Sequence, residues 1–416
     1  MRNIFLFIAV ALTLRAAYAQ TSFSLEAYRD SVYMNSVDMR NSIVAVERAQ
    51  AQEHIAKTEY LPSLTASGSF TTDFRRSGDA DLWGFALQPH IEQVLYAGGG
   101  VRAAYRRSVL QSGVAAENQQ MTRLNVRNAA ERAYYTLSAM QLYRAATQEY
   151  VSIIRSLYRV VEERFNEGYI AKGDMLQVET RLSQAEYSLI EMDNSYEVAL
   201  HRFNTLRGEV GPEDVTLLNS IIDTISQPRR LSIEQMLVRR PDMRSAELAT
   251  LATEYGVQVT RAQYNPRLTA GVSGSWQTYS PNASAKTYVD GALLLGLSVP
   301  LFHWGERRSA VAIARSDQRQ AENAMEQLRR DAAQQEADGW SAMMNSYSQI
   351  QSSLHNLAIA SENLSISTYS YQEGQATVLD VLQAQISWLQ LYTNAITARF
   401  NYAIAVSEYR RVTAQE

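Results

Sequence analysis

Residues 60–66 read Tyr-Leu-Pro-Ser-Leu-Thr-Ala, and residues 264–270 read Tyr-Asn-Pro-Arg-Leu-Thr-Ala. The match extends upstream at the same displacement of 204 positions, with Met39-Arg40 against Met243-Arg244 and Ala45 against Ala249. Downstream the displacement becomes 206. Leu95-Tyr96-x-x-Gly99 answers to Leu301-Phe302-x-x-Gly305, and Phe165-x-Glu167-Gly168 to Tyr371-x-Glu373-Gly374. Asp174-x-Leu176-Gln177 answers to Asp380-x-Leu382-Gln383. The chain is one structural unit written twice. The period exceeds the roughly 20–50 residues of solenoid repeats, so the unit is a duplicated half-domain. The division expected is a first repeat at 20–207, a linker at 208–230 and a second repeat at 231–416.

The N-terminus reads as an export signal over residues 1–19. Arg2 supplies positive charge, Ile4 to Leu14 is an apolar stretch, and Ala17-Tyr18-Ala19 is a small-x-small cleavage site. There are no cysteines, which excludes disulfides, thiol nucleophiles and thiolate metal sites. A net charge of −4 offers no basic surface for nucleic acid. No later stretch is apolar for about 18 residues, so no spanning helix is expected. Spanning β-strands give much weaker signals and stay open.

Each half reads helix, strand, strand, long helix, helix. The first helical segment runs from about Ser24, a suitable N-cap, to Tyr60, and Pro62 ends it. In the second half Ser232 is the expected N-cap, and Pro241 divides a short helix from a longer one. Then the period switches to two. Leu64, Ala66, Gly68, Phe70, Thr72 and Phe74 share one face; Thr65, Ser67, Ser69, Thr71 and Asp73 share the other. Trp83, Phe85, Leu87, Ile91 and Leu95 alternate again. So do Leu268, Ala270, Val272 and Trp276, then Val289, Leu293, Leu295, Leu297 and Val299. Strands are expected at about 62–75, 82–96, 266–278 and 288–302. Their length is near what a tilted strand needs to cross a bilayer.

From Gly99 to Phe165, and from Gly305 to Tyr371, the chain is nearly free of Gly and Pro. Each stretch predicts a helix roughly 100 Å long at about 1.5 Å per residue. The segments that follow carry 3-4 spacing throughout. Met175, Val178, Leu182, Ala185, Leu189, Met192, Tyr196, Ala199 and Phe203 form one seam. Val381, Ala384, Trp388, Leu391, Ala395, Ala398, Tyr402, Ala405 and Tyr409 form the other. That is a heptad seam, expected of a coiled coil or helical barrel. Four strands cannot close a barrel alone, and an open edge in lipid leaves backbone groups unpaired. Strands that span a membrane would therefore need several chains. The alternative is an exported coiled-coil adaptor or structural protein with a small soluble sheet.

This order of parts resembles the TolC outer-membrane efflux protein family over essentially the whole mature chain. The carriers are Tyr60-Leu61-Pro62-Ser63-Leu64 and Tyr264-Asn265-Pro266-Arg267-Leu268 at the helix-to-strand entries. Val299-Pro300-Leu301-Phe302-x-x-Gly305 resembles the strand exit, with Gln93-Val94-Leu95-Tyr96-x-x-Gly99 its partner. Tyr371-x-x-Gly374-x-x-Thr377-x-x-Asp380-Val381-Leu382-x-Ala384 resembles the tip motif. The resemblance implies a mainly α fold with a β-barrel contribution: a homotrimer with a 12-stranded outer-membrane barrel and a long helical barrel in the periplasm. It also implies a periplasmic adaptor, an inner-membrane pump, contact with outer-membrane lipid, passive passage of substrates, and no enzyme activity or cofactor.

Gly168 and Gly374 fit the usual residue just past a helix end. The resemblance puts them, with Thr377 and Tyr371, at the tip where adaptors bind. Asp174 and Asp380 lie just inside the next helices, where a carboxylate stabilises the helix N-terminus. Thr377 with Asp380 three residues on fits a cap. The resemblance offers a second role, a ring of carboxylates at the narrow end of the tunnel, with Gln383 one turn further on. Some members carry an Arg between the tip Gly and Thr and a second Asp. Here Ala376 and Gln383 stand at those places, which leaves an Arg-based lock and a double acidic ring without residues. His54, His90, His201, His303 and His355 have no metal spacing. Gly98-Gly99-Gly100 lacks the Lys-Ser/Thr of a phosphate loop, and no catalytic motif is found.

Overall fold

Ser24 starts the first helix by accepting a hydrogen bond from the Ala27 N–H at 3.1 Å. That helix, α1 (Leu25–Asn35), follows a short strand β1 (Thr21–Phe23) and stops sooner than the sequence suggests. Ser36 is extended, with φ −63° and ψ 125°. Its hydroxyl accepts from the Met39 N–H at 3.3 Å and so opens a second helix, α2 (Val37–Thr58). One expected helix is thus two. A serine side chain that bonds nearby backbone competes with the helix ladder, and composition does not register that.

The computed structural model describes residues 21–72, 74, 83–211, 213–278 and 288–415. The expected export signal at 1–19, the loop at 75–81 and all but the first residue of the loop at 278–287 lie outside the described residues. After α2 come β2 (Ser63–Thr72), β3 (Trp83–Ala97), α3 (Gly100–Asn166) and α4 (Lys172–Leu206). A short β4 (Val215–Leu217) follows. Then α5 (Ile233–Arg239), α6 (Pro241–Ala262), β5 (Arg267–Gln277), β6 (Tyr288–Ser298), α7 (Glu306–Gln372) and α8 (Val378–Thr413) repeat the order. Pro241 stands at the first turn of α6, where its missing N–H costs nothing. Helices α3 and α7 have 67 residues each.

The chain forms two compact units, each drawing on both repeats. Among the described residues the first holds 21–40, 122–211, 213–239 and 332–415; the second holds 41–72, 74, 83–121, 240–278 and 288–331. In the second unit β2, β3, β5 and β6 make one antiparallel sheet in that order. Register decides its faces, because paired residues point the same way. Leu64 pairs with Ile91, Ile91 with Val272, and Val272 with Leu293. Gly68, Leu87, Trp276 and Val289 make a second such row. The opposite face carries the row Thr65, His90, Ser273 and Ala292, with Ser63 and Glu92 beside it. Leu294 and Val94 are apolar exceptions on that side. The register between β3 and β5 shifts once, between Val94 and Tyr96, so Leu95 is the extra residue of a bulge and Tyr96 pairs with Leu268. Leu95 therefore breaks the pattern read from the sequence, and Tyr96 continues the apolar face.

In the first unit the seam residues Val178, Ala185, Ala199 and Phe203 are buried, as are Val381, Ala384, Trp388, Ala395 and Tyr402. Helix α8 buries a second stripe as well, including Leu382, Gln385, Ile396 and Ala403. It is therefore covered over a wider arc than a coiled-coil seam requires. An aromatic cluster joins β1, α1, α3 and α4. The Tyr28 ring stacks on Phe203 at 3.8 Å, and the Tyr28 hydroxyl donates to the Phe203 carbonyl at 3.0 Å. The segment read as a loop-like linker supplies β4, which pairs in parallel with β1. Two buried glutamates are paired with arginines. Glu131 accepts from Arg29 and Arg127, both at 3.0 Å. Glu336 accepts from Arg230 at 3.1 and 3.4 Å and from the Tyr409 hydroxyl at 3.0 Å. Among the described residues no helix is long and apolar enough to cross a membrane.

Candidate functional site: the paired helical turns

The long helices α3 and α7 end in the same way. Gly168 has φ 80° and Gly374 has φ 75°, a conformation that disfavours any side chain. The Gly168 N–H donates to the Phe165 carbonyl at 2.9 Å and the Tyr169 N–H to the Arg164 carbonyl at 2.8 Å. The Gly374 N–H donates to Tyr371 at 3.1 Å and the Gln375 N–H to Ser370 at 2.8 Å. These are two copies of one glycine-terminated helix end, with each glycine at the position just past the helix.

The helices that follow begin differently. Thr377 caps α8. Its hydroxyl accepts from the Asp380 N–H at 3.3 Å, while the Thr377 N–H and hydroxyl donate to Asp380 Oδ2 at 2.8 and 2.7 Å. Those hydrogen bonds, the hydroxyl first and the backbone N–H second, hold the Asp380 carboxyl below the ordinary carboxylate range. A group with a lowered pKa contributes stability at higher pH and loses it as pH falls through the folded value. At the matching place in the first repeat stands Ala171, which forms no side-chain cap to α4. Asp174 is half-buried there; Asp380, Gln383, Thr377 and Gly374 are exposed, and Tyr371 is buried.

Arg164, which the sequence reading did not single out, ties the two turns together. Its guanidinium donates to the carbonyls of Tyr371 at 3.2 Å and Gln372 at 2.9 Å. It also lies over the Tyr371 ring, 4.8 Å from the centroid. So a residue near the end of α3 satisfies the open carbonyls at the end of α7. Its only signal in the sequence is a charge among charges, since Arg155, Arg159, Glu162 and Glu163 precede it. Below, Val161, Val178, Val378, Val381, Leu382 and Tyr371 share one apolar cluster. A groove of about 270 Å³ opens beside it, lined by Ser152, Ser156, Tyr371 and Gln385 among others. Gln385 Oε1 is buried there without a hydrogen-bond partner among the described residues. Among the described residues no group of three His, Asp or Glu is placed to hold a metal ion.

The chain matches the sequence profile described as "Outer membrane efflux protein" over residues 11–209 and 232–414. It belongs to that family. This efflux-family chain is 24% identical over 404 residues to the cation efflux system protein CusC of Escherichia coli K12, spanning 92% of this chain and 84% of the relative. It is 27% identical over 383 residues to the pyoverdine export outer membrane protein OpmQ of Pseudomonas aeruginosa, spanning 87% and 78%. The fold matches the outer membrane protein VceC of Vibrio cholerae with a TM-score of 0.81 at 18% identity, over 94% of this chain and 97% of that one. The family is one of outer-membrane channels of efflux and secretion systems, and its systems join a channel to an adaptor and a pump. The efflux-family chain is an outer-membrane protein. The paired turns, with Gly168, Asp174, Tyr371, Gly374, Thr377 and Asp380, form one end of its first compact unit.

Proposed function

We propose that three copies of this chain close a 12-stranded barrel in the outer membrane, continued by a helical tunnel into the periplasm, through which substrates leave unchanged. The observation that carries this reading is the sheet. It has one apolar and one polar face, strands of 10 to 15 residues, and two edges, β2 and β6, with no neighbour among the described residues. An apolar face toward lipid and a polar face toward a lumen is the pattern of spanning barrels. Open edges in lipid are too costly to leave unpaired, so further chains must supply the missing strands. No reaction is assigned to any residue.

The paired turns form the periplasmic end of the tunnel in this reading. Asp380, with Asp174 and Gln383, lines the constriction. Gly168, Gly374, Thr377 and Tyr371 meet the adaptor, which in turn joins an inner-membrane pump.

Protein purified from outer membranes should run as a heat-modifiable trimer and open stepwise conductances in planar bilayers. A monomer without conductance would remove the channel reading in favour of a soluble exported adaptor. The strand-joining loops at 75–81 and 278–287 should face the cell exterior. Ser77→Cys or Ser284→Cys should take up an impermeant thiol reagent on whole cells, and there is no native cysteine to confuse the signal. Labelling only after the outer membrane is broken would reverse the topology.

A further inference from the structure

His90 and Glu92 lie two residues apart on β3, so the pleat puts both on the polar face of the sheet. His90 Nε2 stands 3.6 Å from Glu92 Oε2. That gap is too long for a hydrogen bond. It is close to what one small cation spans. Zinc holds an imidazole nitrogen and a carboxylate oxygen at about 2.0–2.2 Å each, which a tetrahedral angle sets about 3.4 Å apart. The neighbours leave the space open. Thr65 and Ser273 flank His90, and Ser63 and Gly271 flank Glu92. A Cβ on Gly271 would lie only 3.2 Å from His90 Cε1, so this glycine lets the imidazole lean across β5 beside Glu92. Both side chains stay partly open to solvent. Among the described residues, the other charged positions of this face are Arg267, which opens β5, and Asp290, near the opposite end of the sheet.

One imidazole nitrogen with one carboxylate oxygen suits zinc and its transition-metal neighbours better than magnesium or calcium, which prefer oxygen alone. Two protein ligands hold such an ion weakly, with water in the remaining positions. Weak holding fits a passage, where an ion must leave as well as enter. We propose that His90 and Glu92 form a low-affinity site for a divalent transition-metal ion on the wall of the barrel. Copies of the site ring the lumen at one depth, and each bound ion adds positive charge to a wall that otherwise carries little. The lumenal placement rests on the reading of the sheet as membrane-spanning, whereas the metal pair itself does not.

The test uses the full-length protein, purified without a polyhistidine tag, with Zn2+ as the probe and Mg2+ beside it. Calorimetric titration should find a Zn2+ site in each chain that Mg2+ does not fill. His90→Ala and Glu92→Gln should each weaken it at least about tenfold, since removing even a residue that only orients a metal ligand costs that much. His355→Ala, exposed on α7, should bind as wild type does. Equal Zn2+ affinity in wild type and His90→Ala overturns the site. A loss in His90→Ala but not in Glu92→Gln leaves a lone imidazole and overturns the pair. In planar bilayers under a KCl gradient, Zn2+ should shift the reversal potential toward anions. The shift should persist in Asp380→Ala, which keeps the constriction out of the measurement, and vanish in His90→Ala. Zn2+ binding that depends on both residues, with no shift in reversal potential, overturns the lumenal placement and with it the lumen-facing reading of the sheet, while the metal pair stands.

Discussion

Phe203→Ala should lower the stability of the folded chain by about 3–5 kcal/mol, the usual cost of removing a fully buried aromatic ring. Phe203 is inaccessible to solvent. Its ring stacks on Tyr28 at 3.8 Å and meets Phe23 at 5.9 Å and Tyr134 at 6.2 Å. The pocket resists collapse because hydrogen bonds fix its walls. The Tyr28 hydroxyl donates to the Phe203 carbonyl at 3.0 Å, and the Tyr134 hydroxyl donates to the Phe23 carbonyl at 2.9 Å. Both bonds survive the substitution, so the lost volume stays as a cavity. Denaturant unfolding in detergent reads the effect, with Ile190→Ala, 67% exposed on the same helix, as the reference. A loss no larger than that of Ile190→Ala would mean that this cluster does not hold the unit together.

Asp380→Ala should abolish block of the open channel by multivalent cations, raising the blocking concentration at least tenfold. Thr377→Ala separates the two roles of the carboxylate. It removes the cap, at a cost of about 1 kcal/mol, but leaves the charge, so block at neutral pH should persist. Their pH dependence should differ. In wild type the Thr377 hydrogen bonds hold the Asp380 carboxyl low, so block survives mild acid and fades only as pH falls through that lowered value. In Thr377→Ala the carboxyl rises toward its ordinary range, and block should fade at a higher pH. Conductance at stepped pH in planar bilayers measures both. If Asp380→Ala leaves cation block intact while the trimer assembles normally, the residue is a helix cap and nothing more.

Much of this was legible in the sequence, for identifiable reasons. Backbone demands that only one residue type meets leave local marks. Gly168 and Gly374 end their helices at positive φ, and Thr377 reaches Asp380 three residues on. The apolar face read for β5 and β6 survives because their register runs unbroken. What the sequence hid depends on choices between near-equal local states, or on partners far away in the chain. Ser36 breaks a helix through its own hydroxyl, with no Gly or Pro to announce it. The bulge at Leu95 moves Tyr96 onto the apolar face, and counting by twos cannot foresee one added residue. Arg164 is bonded to carbonyls 207 and 208 positions away, and its neighbours in the sequence disguise it. The linker's β4 is three residues long and owes its existence to β1.

The two unpaired sheet edges have a consequence for genetics. On the three-chain reading, no single copy can rest in the bilayer with its backbone satisfied, so insertion and association form one event. The yield of inserted channels should then rise more steeply than in proportion to the amount of chain exported. A copy damaged along β2 or β6 would not simply be lost, because it would occupy a place in barrels otherwise built from sound copies. Edge-strand alleles should therefore be dominant when expressed beside the wild type, whereas an allele that prevents export should be recessive.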